Sequence, residues 1–218
     1  MGAVIGDLLP LAIGVAVSPI PIIAAILMLL STHAGTTSVG FAAGWLVGIV
    51  VATVVFVLLG GVVDSSGEPS AASWIRIVLG VLLLTLGVRK WLARNEPHET
   101  PKWMTAIDGM TAVKGAGLGF GLAAVNPKNL LMCAGAGVTI GSAALSGGAV
   151  AVAVALFSVL AAITVVVPVV GYLVAADRLR RPLSELKEWL QDNNTAVMGV
   201  LVLVIGVMLV GKGIGGLS

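Results

Sequence analysis

Asn126, Pro127 and Lys128 stand together in the middle of a hydrophobic stretch. Lys128 lies 14 residues after Lys114, and the 11 residues 129–139 that follow it include no charge. At ~1.5 Å per residue a helix places the ammonium roughly 21 Å beyond Lys114, deep in a hydrocarbon layer ~30 Å thick. A charge there costs at least ~2.5 kcal/mol on insertion scales, and intramembrane lysines mark functional sites. An ammonium at that depth can do two things: hold an anionic group or carry a proton. Pro127 removes one helical N–H and frees the carbonyl of Ala123. Asn126 and Asn129 add amide donors and acceptors on either side. Irregular backbone at membrane depth survives only against protein or a water-filled cavity. The three features together point to a substrate site inside a membrane protein.

A second interruption reads Ser18-Pro19-Ile20-Pro21. Its prolines free the carbonyls of Val15 and Val17, and Ser18 can bond freed backbone or substrate. Ala16-Val17-Ser18-Pro19 matches Ala124-Val125-Asn126-Pro127 at an offset of 108, which also pairs Ser38 with Ser146 and Gly40 with Gly148. Farther on, Leu79-Gly80-Val81-Leu82 matches Met198-Gly199-Val200-Leu201 at an offset of 119. The chain thus reads as two copies of one unit. Interrupted helices at matching places in two repeats are the sequence pointer to a secondary transporter and its midplane site. The expected substrate-binding residues are Lys128, Asn126, Asn129 and Ser18, with Pro19, Pro21 and Pro127 shaping the cavity.

These residues need helices to position them. Hydrophobic residues make up 58% of the 218 and charged residues 10%, where a soluble domain is nearer a quarter charged. Mean hydropathy is +1.11. Six apolar spans are expected, at residues 5–30, 37–63, 74–92, 114–140, 147–175 and 195–213. The fold class is therefore an all-α membrane protein: six transmembrane helices as two inverted three-helix repeats, 5–92 and 114–213, joined by a cytoplasmic loop at 93–113. One membrane domain fills 1–218. An odd number of spans per repeat inverts the second copy. Arg89, Lys90, Arg94, Lys102 and Lys114 follow span three, and Arg178, Arg180, Arg181 and Lys187 follow span five. The positive-inside rule puts those loops in the cytoplasm and both termini outside, with Lys212 the exception. No basic leader with a cleavage site precedes span one, so no removable signal is expected.

Gly40, Gly44 and Gly48 form a small-residue row on span two. Such rows let helices approach closely, and this one offers a surface for a homodimer. Gly115, Gly117, Gly119 and Gly121 alternate, which suggests a loose segment before the break. Gly60 and Pro168 also match at the offset of 108 and are hinge candidates. Two loop segments read as helices lying on the membrane: one opened by Thr100-Pro101 and carrying Trp103, Met104, Ile107 and Met110, the other by Arg181-Pro182 with Leu183, Leu186, Trp189 and Leu190. No acid is placed at the depth of Lys128; Asp7 comes closest. His33 and His98 lack metal-ligand company, and no metal or other cofactor is expected. The one cysteine, Cys133, excludes an intrachain disulfide and a cycling cysteine pair. The net charge of +2 resides in loops and implies no nucleic-acid partner.

Three plus three spans, the Ser18-Pro19-Ile20-Pro21 break and Asn126-Pro127-Lys128 in the fourth span resemble the lysine-exporter superfamily of small bacterial transporters. Within it the chain looks like the peptidoglycolipid- and sulfolipid-addressing branch of actinobacteria. That resemblance implies a multi-pass inner-membrane exporter of a polar or anionic envelope glycolipid or its precursor, working by alternating access. It also implies envelope-lipid synthesis or export proteins as partners. Two other functions remain open: an amino-acid or small-metabolite exporter, and a non-transporting scaffold for envelope-lipid assembly. None of the three is an enzyme, and no catalytic residue is expected. No ATP-binding loop is present, so an ion gradient or a partner would drive transport.

Overall fold

Proline sets the first divisions of the chain. Pro19 and Pro127 each stand at the first helical position, where a missing N–H costs nothing and the fixed φ suits a helix start. Each forces the residue before it out of helical backbone. A helix therefore ends just before each proline and a new one begins at it. The computed structural model describes residues 1–65, 69–93, 104 and 107–217. Among the described residues there are seven α-helices. They are α1 Gly2–Ala16, α2 Pro19–Leu29, α3 Ala34–Ser65, α4 Pro69–Leu92, α5 Ala112–Ala124, α6 Pro127–Gly141 and α7 Gly147–Gly215. A 3-10 turn at Ile107–Gly109 precedes α5.

Among the described residues three helices are long and apolar enough to cross a membrane: Ala34–Gly61, Ala71–Leu92 and Gly147–Gly215. The pair α1–α2, bent by 52° at its break, makes a fourth if counted as one span. The chain is a membrane protein, but the six spans expected from the sequence do not emerge as six separate helices. Two causes account for the difference. The span at 114–140 is split by its proline into α5 and α6, each too short to cross alone. The spans at 147–175 and 195–213 are joined by helical backbone through the intervening residues. That joined element departs from helical geometry at Ala175 (φ −143°, ψ 51°). Gly171 on one side of the departure faces Leu179 on the other, so α7 folds back on itself there.

Glycine sets the packing. Gly40, Gly44 and Gly48 of α3 lie on the backbone of Ala112, Ala116 and Phe120 of α5. Gly115 and Gly119 return the contact onto Thr37, Phe41 and Trp45. Farther along, Gly137 and Gly141 of α6 lie on Thr53, Phe56 and Val57. Residue numbers rise together on both sides, so α5 and α6 run parallel to α3 as one broken line. The last part of α7 runs antiparallel to α4: Gly80 meets Val210, Gly87 meets Leu203, and Gly213 meets Ile77. Small residues allow this approach where lipid supplies no hydrophobic drive to association.

Several sequence expectations are corrected here. The Gly40–Gly44–Gly48 row is filled by α5 of the same chain, so it has no room for a second copy. The alternating glycines do not loosen α5: Gly115 and Gly119, one turn apart, form its packing face. Gly60 is a contact point on α6, with a Cβ there landing 3.0 Å from the Val138 Cα. Pro168 stays inside α7, and the backbone departure falls at Ala175 instead. The segment after Pro182 does present an apolar face, with Leu183 and Leu190 buried beside Ile22, Ile23 and Ile26, but it continues α7. Most of the surface helix expected from Thr100-Pro101, along with Trp103, Arg94, Lys102 and His98, lies outside the described residues.

Candidate functional site

At both breaks the residue before the proline is extended, while the residue ahead of it differs: Val17 has φ −84°, ψ 37° and Val125 φ −112°, ψ −21°. Ser18 is extended (φ −83°, ψ 109°) ahead of α2, and Asn126 is extended (φ −64°, ψ 119°) ahead of α6. Each is followed by its proline, the sequence cause of that conformation. The two breaks meet in space. The Lys128 ammonium donates to Ser18 Oγ at 2.5 Å, Ser18 Oγ donates to Asn129 Oδ1 at 2.9 Å, and Asn129 Nδ2 donates to the Leu122 carbonyl at 3.0 Å. The result is one directed relay of hydrogen bonds from the ammonium to a last-turn carbonyl of α5. Lys128 is 4% exposed, Ser18 2% and Asn129 0%, so the relay is sealed from its surroundings. Snorkelling of Lys128 to an interface is excluded by that burial.

The depth follows from packing. Gly48 of α3 faces Phe120 and Ala123 before the break, and Thr53 faces Gly137 after it. The break therefore sits near the level of residues 48–53, close to the middle of the apolar stretch Ala34–Gly61.

The remaining sequence candidates take other positions. Asn126 is part-buried and caps its own helix, its Oδ1 accepting from the Lys128 backbone N–H at 3.1 Å. Pro19 and Pro21 are buried, whereas Pro127 is exposed on the outer side. Asp7 does not approach Lys128; it pairs with Lys212. Among the described residues no carboxylate pairs with Lys128, and no group of histidine, cysteine and carboxylate side chains could hold a metal.

Thr164 was missed by the sequence reading. Its hydroxyl donates to the Ala16 carbonyl at 2.5 Å, taking a group released by the first break. Ser18 N–H takes the Val15 carbonyl at 3.2 Å. A threonine in the otherwise apolar run 159–168 was the signal available.

The electrostatics of the site are one-sided. The N-termini of α2 and α6 both open at the relay, and each carries partial positive charge. Lys128, when protonated, adds a positive charge in the first turn of α6, where a helix favours anions. Only one of its three N–H donors is used on Ser18. Such a site can hold a sulfate, phosphate or carboxylate by direct charge and by hydrogen bonds. An apolar groove of about 530 Å³ runs past the first break, lined by Val17, Thr164, Pro168, Leu186 and Trp189 among others.

The family model for Sap, sulfolipid-1-addressing protein, matches residues 8–215. No curated protein and no solved structure matches the chain.

Proposed function

The chain belongs to the sulfolipid-1-addressing protein family, and we propose that it is a secondary-type transporter that exports an anionic envelope glycolipid or its precursor across the inner membrane. The observation that carries this reading is the sealed relay of Lys128, Ser18 and Asn129 where the two broken helices meet. Its charge is positive, its location is near mid-membrane, and it has no carboxylate partner among the described residues. A sulfated or phosphorylated head would supply the missing anion. The family's name points to a sulfolipid, which has such a head.

The mechanism proposed is alternating access about this relay, in a six-span inverted repeat of the lysine-exporter type. Three features support that architecture. The residue before the proline is extended at both breaks. The broken line α5–α6 runs parallel to α3 while α4 runs antiparallel to the end of α7, the relations an inverted three-plus-three repeat requires. Asp7 and Lys212 pair, which supports both chain ends lying on one side, as an even number of crossings requires. The loop charges then place both ends outside.

The test is export of sulfolipid by a strain lacking the native gene and carrying each variant at matched protein level. Lys128→Ala is expected to insert normally, since it removes a cost of about 2.5–3.5 kcal/mol. Export should fall at least about tenfold, which needs only ~1.4 kcal/mol of lost interaction. Lys128→Arg should also be impaired, because a planar fork does not replace a compact ammonium. Export by Lys128→Ala at the wild-type rate would make the lysine structural and remove the site.

A further inference from the structure

A second groove lies on the outer side of the other break. It occupies about 370 Å³ between α4 and α6, and its walls are Leu82, Leu86, Leu130 and Leu131. Thr85 also lines it, but its hydroxyl is already committed to the Val81 carbonyl at 2.8 Å. The walls therefore present hydrocarbon. Arg89 closes one end, exposed and without an ion pair or hydrogen bond to any described residue. The positive-inside rule and the helix dipole explain a cation in the last turn of α4. They do not explain its place over the groove, since Lys90 serves both without lining it.

Leu82 and Arg89 are seven residues apart, roughly 10 Å along the helix. The groove is thus an apolar slot about that long with a guanidinium at its mouth. A guanidinium binds phosphate or sulfate oxygens through paired N–H donors. A soluble anion would gain nothing from four leucines, and a zwitterionic lipid, whose phosphate is already offset by its own ammonium, would gain less from Arg89 than one with a net anionic head. The inner wall adds a connection: Pro127 lines the slot and is the residue immediately before Lys128. We propose that this slot receives a lipid with an anionic headgroup directly from the surrounding bilayer, its chain between α4 and α6 and its head on Arg89. The buried relay is then approached sideways past Pro127, without the chain leaving the membrane. Only this last step rests on the export reading.

The probes are phosphatidylglycerol and phosphatidylcholine. The purified full chain is reconstituted in bilayers of both, extracted in mild detergent, and its retained lipids counted by native mass spectrometry. Wild type should retain phosphatidylglycerol in preference to phosphatidylcholine. Arg89→Gln, at an exposed position that leaves the fold intact, should lower phosphatidylglycerol retention by about tenfold, the loss of one charge-assisted pair. Leu86→Trp, which fills the slot, should lower retention as well, and Lys90→Gln should leave it unchanged. Equal phosphatidylglycerol retention by Arg89→Gln and wild type would overturn the proposal. So would an equal loss in Lys90→Gln, which would reduce the effect to general positive charge. Retention is read without export, so the two readings fail separately. Arg89-dependent retention together with normal export by Lys128→Ala would leave the slot standing and the export site refuted.

Discussion

At Ser18 and at Asn126 the backbone is alike: an extended residue, then a proline opening a helix. The side chains diverge. Asn126 turns inward to its own helix and caps the Lys128 N–H. Ser18 makes no cap bond within α2 and instead reaches the other half, accepting from Lys128 and donating to Asn129. The prolines explain the divergence. In α2, Pro19 and Pro21 remove two of the first three N–H groups, so only Ile20 is left with an orphan donor. In α6, Pro127 removes one, and the N–H of Lys128 still needs a cap. An extra proline therefore releases Ser18 from local duty and makes it available to the other break. Similar breaks do not imply similar chemistry: one supplies the charge and its cap, the other supplies the hydroxyl that orients it.

The largest effect is expected where the two halves join. Asn129→Leu removes the acceptor for Ser18 and the donor for the Leu122 carbonyl. One orphaned buried hydroxyl and one part-buried carbonyl should cost roughly 1–3 kcal/mol, read as a lowered unfolding midpoint in detergent. If the midpoint does not move, the relay is not a structural joint. Next in size is the contrast between the two caps. Asn126→Ala should cost about 1 kcal/mol of stability, as a lost N-cap does, with export nearly unchanged. Ser18→Ala deprives a buried ammonium of its partner, worth about 1.5–3 kcal/mol, and export should drop about tenfold or more. Equal export by the two variants would erase the distinction between the breaks. The smallest effect belongs to Pro21→Ala. It restores an N–H at the third helical position, a donor that an N-cap serine can accept from. Ser18 would then be drawn back to its own helix, with export falling by roughly two- to fivefold at ~0.4–1 kcal/mol. Export at or above wild type would show that Pro21 does not govern where Ser18 points.

Both breaks were legible in the sequence because proline there follows a residue that favours the extended cap position, Ser18 or Asn126; Pro10, Pro168 and Pro182, which follow Leu9, Val167 and Arg181, stay inside helices. Lys128 was legible because charge is rare in so apolar a chain. The glycine row was legible as a packing face but not its occupant, since which helix fills a groove depends on the whole topology. The partner of Lys128 was sought among acids because charge seeks charge. The structure supplies Ser18 instead, from 110 residues away, and gives Asp7 to Lys212. Thr164 escaped because its role is to satisfy a carbonyl on another helix, which no local pattern encodes. The boundary of the fifth span escaped for a related reason. Residues 176–194 are polar enough to read as a connection carrying its own surface helix from Pro182, yet the helix runs on through them, with Leu183 and Leu190 buried against α2.

The central claim is that two halves build one site, and a double-mutant cycle between them tests it most directly. Export is measured for wild type, Ser18→Ala, Lys128→Met and the double variant at matched protein level. If the ammonium acts through its bond to Ser18, the second substitution adds little once the first is made, and the cycle shows a coupling of about 1 kcal/mol or more. Losses that simply add, within ~0.5 kcal/mol, would mean that the two residues act independently and that no shared site exists.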